Sequence, residues 1–158
     1  MQTRSGQDAF SNLISSYEYH RSQLLTLSRQ IRERIREYDR ELYTLLKSIS
    51  GIGPLTASAL ITELGDINRF KNIDQLGSYV GLIPRIRESG ETTHTGGITF
   101  RCNSFLRTLL IESSWQAIRM DPAMMQYYHS HLVNNKGHKV VIKVARKLLN
   151  RIRYVMKN

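Results

Sequence analysis

A chain of 158 residues with 41% hydrophobic and 23% charged side chains can build one ordinary core, or one core plus an extended element, but not two full catalytic domains, and its balance excludes wholesale disorder. No apolar run approaches the ~20 residues of a membrane span, the first residues MQTRSGQDAF lack the apolar stretch of a secretory signal, and the single cysteine, Cys102, can form no internal disulfide. A cytoplasmic protein with no membrane partner is expected. Lys and Arg outnumber Asp and Glu by 23 to 13, a net charge of +10, yet residues 1–121 hold 15 basic and 13 acidic side chains while residues 122–158 hold 8 basic and no acidic ones. A segment without carboxylates suits a polyanion, so nucleic acid is the expected partner.

Between residues 8 and 48 there is neither Pro nor Gly, and Phe10, Leu13, Tyr17, Leu24, Leu27, Ile31, Ile35, Tyr38, Leu42, Leu45 and Ile49 recur at helical spacing. One continuous helix here would be about 60 Å long, more than the rest of the chain can cover, so its seam is expected to pack on a second copy. His20 and Arg34 interrupt the seam, which fits an irregular coiled coil better than a strict zipper. The division expected is a coiled-coil helix over 1–48 and a helical domain over 49–158.

ISGIGP (Ile49 to Pro54) reads as a tight turn, and Leu55 to Leu64 as a helix stopped by Gly65. A further helix over Ile73 to Val80 ends at Gly81. Residues 84–101, PRIRESGETTHTGGITFR, have the composition of a loop or a short hairpin. Asn103 caps a helix filled by Phe105, Leu106, Leu109, Leu110, Ser113, Trp115, Ala117 and Ile118, and Asp121-Pro122 ends it while starting the next, over about 122–133. NNKGH breaks the pattern before a last helix over about 139–157. The fold class expected is all-α.

Three segments carry candidate chemistry. The Gly51-Ile52-Gly53 turn resembles the hairpin of the helix-hairpin-helix fold, where glycines let the backbone approach a phosphate and the next helix offers its free N–H groups. Such contacts bind without reading bases. In the last helix Val141, Val144, Ala145, Leu148, Ile152 and Val155 take one face, and Lys139, Lys143, Arg146, Lys147, Arg153 and Lys157 lie mostly on the other, a pattern suited to tracking phosphates. In the Gly-rich loop, Ser89-Gly90 lies beside Arg85 and Arg87, so a hydroxyl nucleophile next to phosphate-neutralising guanidinium groups is chemically available. Trp115 reads as core. No metal-ligand pattern and no acidic cluster for Mg²⁺ is visible, so no cofactor is expected in this chain.

SISGIGPLTASALITELGDINRFKNIDQLGSYVGLIPRIRESGE, GGITFRCNSFLRTLLIESSWQAIRMDPA and VARKLLNRIRYV resemble, in this order, the C-terminal transposase domain of the IS one-ten family of bacterial insertion-sequence transposases, relatives of the Piv-type DNA invertases. The resemblance implies a DNA recombinase in two halves. One is an N-terminal RuvC-like domain, absent here, whose carboxylates bind Mg²⁺; the other is this domain, which supplies a serine that attacks the DNA backbone. It further implies a guide (bridge) RNA and assembly into multimers. Two hydroxyls match the serine's place: Ser89 in ESGE, and Thr99 in GGITFRCN, where Phe100 and Cys102 depart from the family pattern. Ser89 is preferred, because a primary hydroxyl on a glycine-flanked loop reaches in-line geometry more easily than a β-branched one. With Gly51, Gly53, Arg85, Arg87, Arg101, Lys139, Lys143, Arg146, Lys147 and Arg153 as DNA contacts, the expected function is DNA binding plus donation of that nucleophile. A non-catalytic helix-hairpin-helix module and an oligomerisation scaffold are the alternatives.

Overall fold

The computed structural model describes residues 4–89, 92–98, 102–133 and 135–158. The class is all-α, as expected, with one two-stranded ribbon inserted. In chain order the elements are α1 (Arg4–Tyr38), α2 (Arg40–Ser48), α3 (Pro54–Leu64), a single 3-10 turn at Ile67–Arg69, α4 (Ile73–Val80), β1 (Pro84–Ser89), β2 (Thr92–Ile98), α5 (Ser104–Met120), α6 (Pro122–Leu132) and α7 (Gly137–Lys157).

The expected single helix over 8–48 is two helices. At Asp39 the backbone leaves helical geometry (φ −154, ψ 88), and its carboxylate accepts the Leu42 N–H at 2.8 Å, capping α2. A short carboxylate that bonds its own neighbouring backbone offers the chain a helix start in place of a helix interior. The break changes what each part can bury. Tyr43 and Leu46 of α2 lie in the core, and of α1 Ile35 alone is buried among the described side chains. The remainder of α1 is exposed almost throughout, including Phe10, Leu13, Tyr17 and Leu24 at 65, 69, 65 and 66%.

α7 is the central element of the helical body and packs on α2, α4, α5 and α6. Val140, Val141, Val144, Ala145, Leu148, Leu149 and Ile152 are all buried, and full burial of a Val, Leu or Ile side chain contributes about 1.5–3 kcal/mol. The helix starts two residues earlier than its periodicity suggests. α5 and α6 share Asp121, which ends one helix and caps the other by accepting the Ala123 and Met124 N–H groups at 2.8 and 3.3 Å. Pro122 follows at the first helical position, where its missing N–H costs nothing.

Small residues set the approach of α3 to α5. Thr56 and Ser113 meet across that interface, their buried hydroxyls 3.3 Å apart. Gly51, at φ +89, lies so close to α5 that a Cβ would come within 2.3 Å of the Ser113 carbonyl oxygen. Gly81 ends α4 in the left-handed conformation, where an added Cβ would come within 2.5 Å of the Cys102 sulfur. Asn103 ties three elements together: its backbone N–H donates to Tyr79 O, its side-chain oxygen caps α5 at Leu106, and its amide donates to Glu63 of α3 at 2.6 Å.

Candidate nucleic-acid interface

The α2–turn–α3 segment has the helix, turn, helix form expected, and its two glycines do different things. Gly51 is turned onto α5, where only a hydrogen fits. Gly53 is the N-cap of α3, and a Cβ there would meet nothing within 4 Å. No side chain caps this end of α3. The outward part of the turn is therefore Gly53 with the first turn of α3, whose uncapped N–H groups and positive dipole end form an anion-attracting surface. Close packing alone accounts for Gly51.

Of the loop or short hairpin expected over residues 84–101, the described residues 84–89 and 92–98 take the paired-strand form. β1 and β2 pair antiparallel, with Arg85 opposite Gly96, Arg87 opposite His94 and Ser89 opposite Thr92, and an irregularity between Pro84 and Arg85. Arg85, Arg87 and Ser89 thus occupy alternate positions of one strand, with Ser89 its last residue. Their side chains, and all of Thr99 and Arg101, lie outside the described residues.

On α7 the structure divides the six basic residues. Lys139, Lys143 and Lys157 are exposed. Arg146 instead pairs with Asp74 of α4. Lys147 sits over the Tyr127 ring, 4.1 Å from its centroid. Arg153 donates to the Lys71 carbonyl at 3.2 Å, and its Nε is buried with no partner among the described residues. The polar face of α7 is thus partly a packing face, because long cationic side chains cover apolar surface with their stems while their heads seek acceptors. Arg151, which periodicity did not single out, pairs with Asp121. Beside these cations lies a groove lined by Ile73, Tyr127, His131, Lys143, Arg146, Lys147 and Asn150.

His131 was not anticipated in that groove. Its Nδ1 lies 2.9 Å from the Tyr127 carbonyl oxygen and 3.2 Å from Ser130 Oγ, and Nε2 is the ring's other hydrogen-bonding position. The sequence signal was available in His131 lying four residues after Tyr127, one helical turn along the same face. Trp115 departs from its expected place in the core: it is 38% exposed and packs edge-on against Tyr128 at 5.8 Å between ring centroids.

The Arg151 guanidinium, by its hydrogen bond, holds the Asp121 carboxyl below its ordinary 3.8, with the Ala123 and Met124 N–H groups adding to the effect against the opposing cost of burial. This pair fastens the α5–α6 corner to α7. Among the described residues no group of three His, Cys, Asp or Glu could hold a metal ion, and no helix is long and apolar enough to cross a membrane.

A family model described as Transposase IS116/IS110/IS902 family matches residues 43–129, which run from α2 into α6 and include the hairpin. The transposase for insertion sequence element IS1111A of Coxiella burnetii is 38% identical over 96 residues, covering 55% of this chain and 26% of that protein. The transposase for insertion sequence element IS1328 of Yersinia enterocolitica is 28% identical over 142 residues, 87% of this chain and 42% of that one. The pilin gene-inverting protein of Moraxella lacunata is 31% identical over 156 residues, 92% of this chain and 48% of its own length. The chain thus spans between about a quarter and a half of these relatives.

Proposed function

The chain belongs to the IS116/IS110/IS902 transposase family, and from that premise we propose that it is the part of a DNA transposase that grips the DNA backbone and supplies the serine nucleophile for strand exchange. The observation that carries this reading is the hairpin inside the matched region, with Ser89 at the end of β1 and Arg85 and Arg87 at alternate positions before it. In the step proposed, the Ser89 oxygen attacks a backbone phosphorus, a Ser–O–P bond forms, and the bond from phosphorus to one deoxyribose oxygen breaks. The serine proton leaves to a base, and the departing oxygen takes up a proton. Energy is conserved in the new phosphodiester, so a deoxyribose hydroxyl of another strand can reverse the attack and join the DNA in a new order. Arg85 and Arg87 neutralise charge on the non-bridging oxygens.

Among the described residues no group of three His, Cys, Asp or Glu could hold a metal ion, and no step here passes through Mg²⁺; the family resemblance implies that the carboxylates for it belong to a RuvC-like companion domain. DNA is held by Gly53 and the open end of α3, by Lys139 and Lys143, and by Arg101, with bases left unread. The exposed apolar column of α1 is proposed to pair with a second copy, and a guide RNA is the further partner the family implies. Fluorescence anisotropy of this chain on unrelated duplexes tests the binding part. Affinity is expected to depend little on sequence and, for five neutralised phosphates, to fall with a log–log salt slope of about −4.5. A flat salt dependence, or no binding at low salt, contradicts it and leaves the scaffold reading.

A further inference from the structure

At the junction of α1 and α2 a depression of about 550 Å³ is lined by Arg36, Glu37, Arg40, Tyr43, Thr44 and Lys47. We propose that this elbow holds a backbone phosphate of nucleic acid, clamped by Arg36, Arg40 and Lys47. The proposal rests on the reading that the chain binds nucleic acid and adds a site away from the hairpin and from the basic residues of α7.

Arg40, Tyr43 and Lys47 follow one another at spacings of three and four within α2, and Arg36, from α1 on the other side of the Asp39 break, lines the same depression. All three cations are exposed. The ion pairs among the described residues are Arg146 with Asp74 and Arg151 with Asp121, so no carboxylate among the described residues lies within 4 Å of any of the three. Glu37, the one acid at the rim, leaves the lining with an excess of two positive charges.

Tyr43 orders the cations. Its side chain is 2% exposed, fixed in the core, with the Arg36 guanidinium carbon 5.6 Å and the Lys47 ammonium 5.4 Å from its ring centroid. An aromatic face attracts both, so less freedom is lost when they close on an anion. The Thr44 hydroxyl is already committed to the Arg40 carbonyl at 2.8 Å, which leaves the cations as the donors. Guanidinium forks match two oxygens of a phosphate, and the lysine adds a point charge. A second copy of the chain is the poorer occupant, because it brings another +10. α2 packs on α7, so the elbow adjoins the helix that bears most of the acid-free charge.

The test uses the full chain carrying Arg36→Gln, Arg40→Gln and Lys47→Gln together, against a control with Arg21→Gln, Arg29→Gln and Arg34→Gln, which removes the same charge from exposed positions of α1. Anisotropy is measured on a duplex DNA and on an RNA hairpin of about 30 nucleotides per strand across a salt series, with melting curves confirming that both variants fold. The elbow variant is expected to bind about tenfold more weakly to whichever probe supplies the phosphate, with its salt slope smaller by about 0.9, while the control changes less than about threefold with its slope kept. Equal losses in both variants, or no loss in the elbow variant, overturn the elbow site and leave DNA binding standing. An elbow variant that keeps its affinity but dissociates in light scattering overturns it in favour of a second copy. Failure of the unaltered chain to bind either probe removes both readings.

Discussion

α1 and α7 are both long amphipathic helices rich in cations, and they meet opposite fates. α7 lays Val144, Leu148 and Ile152 at 0% exposure against α2, α4, α5 and α6. α1 leaves Phe10, Tyr17 and Leu24 about two-thirds exposed. The difference lies in what surrounds each helix: α7 packs on α2, α4, α5 and α6, whereas α1 meets α2 and α3 and of its described side chains only Ile35, near its end, is buried. An apolar stripe shows that a helix has a face to bury, and the rest of the fold decides whether that face is covered from within.

The sharpest way to break this comparison is to remove one leucine from each helix. Leu148→Ala is expected to cost about 2–5 kcal/mol in urea unfolding, as full-burial truncations do, while Leu24→Ala changes fold stability by less than about 0.5 kcal/mol and weakens self-association in light scattering. Equal effects on unfolding would mean that α1 is covered within its own chain. Gly51→Ala comes next: a methyl at φ +89, 2.3 Å from the Ser113 carbonyl oxygen, should destabilise by about 2–4 kcal/mol by parting α3 from α5. Gly53→Ala, with open space around it, should leave the melting temperature nearly unchanged and weaken DNA binding, separating the packing glycine from the proposed phosphate-facing one.

Smaller effects sharpen the anchoring of α7. Asp121→Ala removes a cap and the partner of Arg151, at about 1–2 kcal/mol. The native carboxyl titrates below its unfolded value of 3.8, so its contribution is present above that pH and is lost as pH falls through the lowered native value. Thermal melts of the parent chain should therefore drop more between pH 5 and pH 3 than those of Asp121→Asn; parallel curves would remove the pair from the account. Smallest is Tyr43→Phe. Its buried hydroxyl has no partner among the described residues, so deletion should be neutral or stabilising by up to about 1 kcal/mol, and a clear loss would show that the hydroxyl is bonded.

The helices were legible because their signals are local: Asn103 and Asp121 as caps, Pro122 at a helix start, Gly81 at a stop. Asp39 was the exception, since a charge run hides a cap whose effect depends on the next turn folding separately. The charge asymmetry pointed to α7, but composition cannot say which cations the fold will use itself, and Arg146, Lys147 and Arg153 bind an aspartate, a tyrosine ring and a carbonyl. Gly51 and Gly53 look equivalent in sequence, and only the approach of α5 distinguishes them. The elbow escaped notice because Arg36, Arg40 and Lys47 are interleaved with Glu37, Asp39 and Glu41, which balance the local charge on paper while Tyr43 gathers two of the cations in space.

The central claim concerns the nucleophile, and the most direct measurement is the denaturant-resistant protein–DNA adduct formed by a transposase that contains this chain. Ser89→Ala is expected to abolish the adduct while DNA affinity stays within about twofold, since the hydroxyl acts in the transition state and not in phosphate binding, and Thr99→Ala is expected to retain it. An adduct that survives Ser89→Ala and disappears with Thr99→Ala contradicts the account and moves the nucleophile past β2.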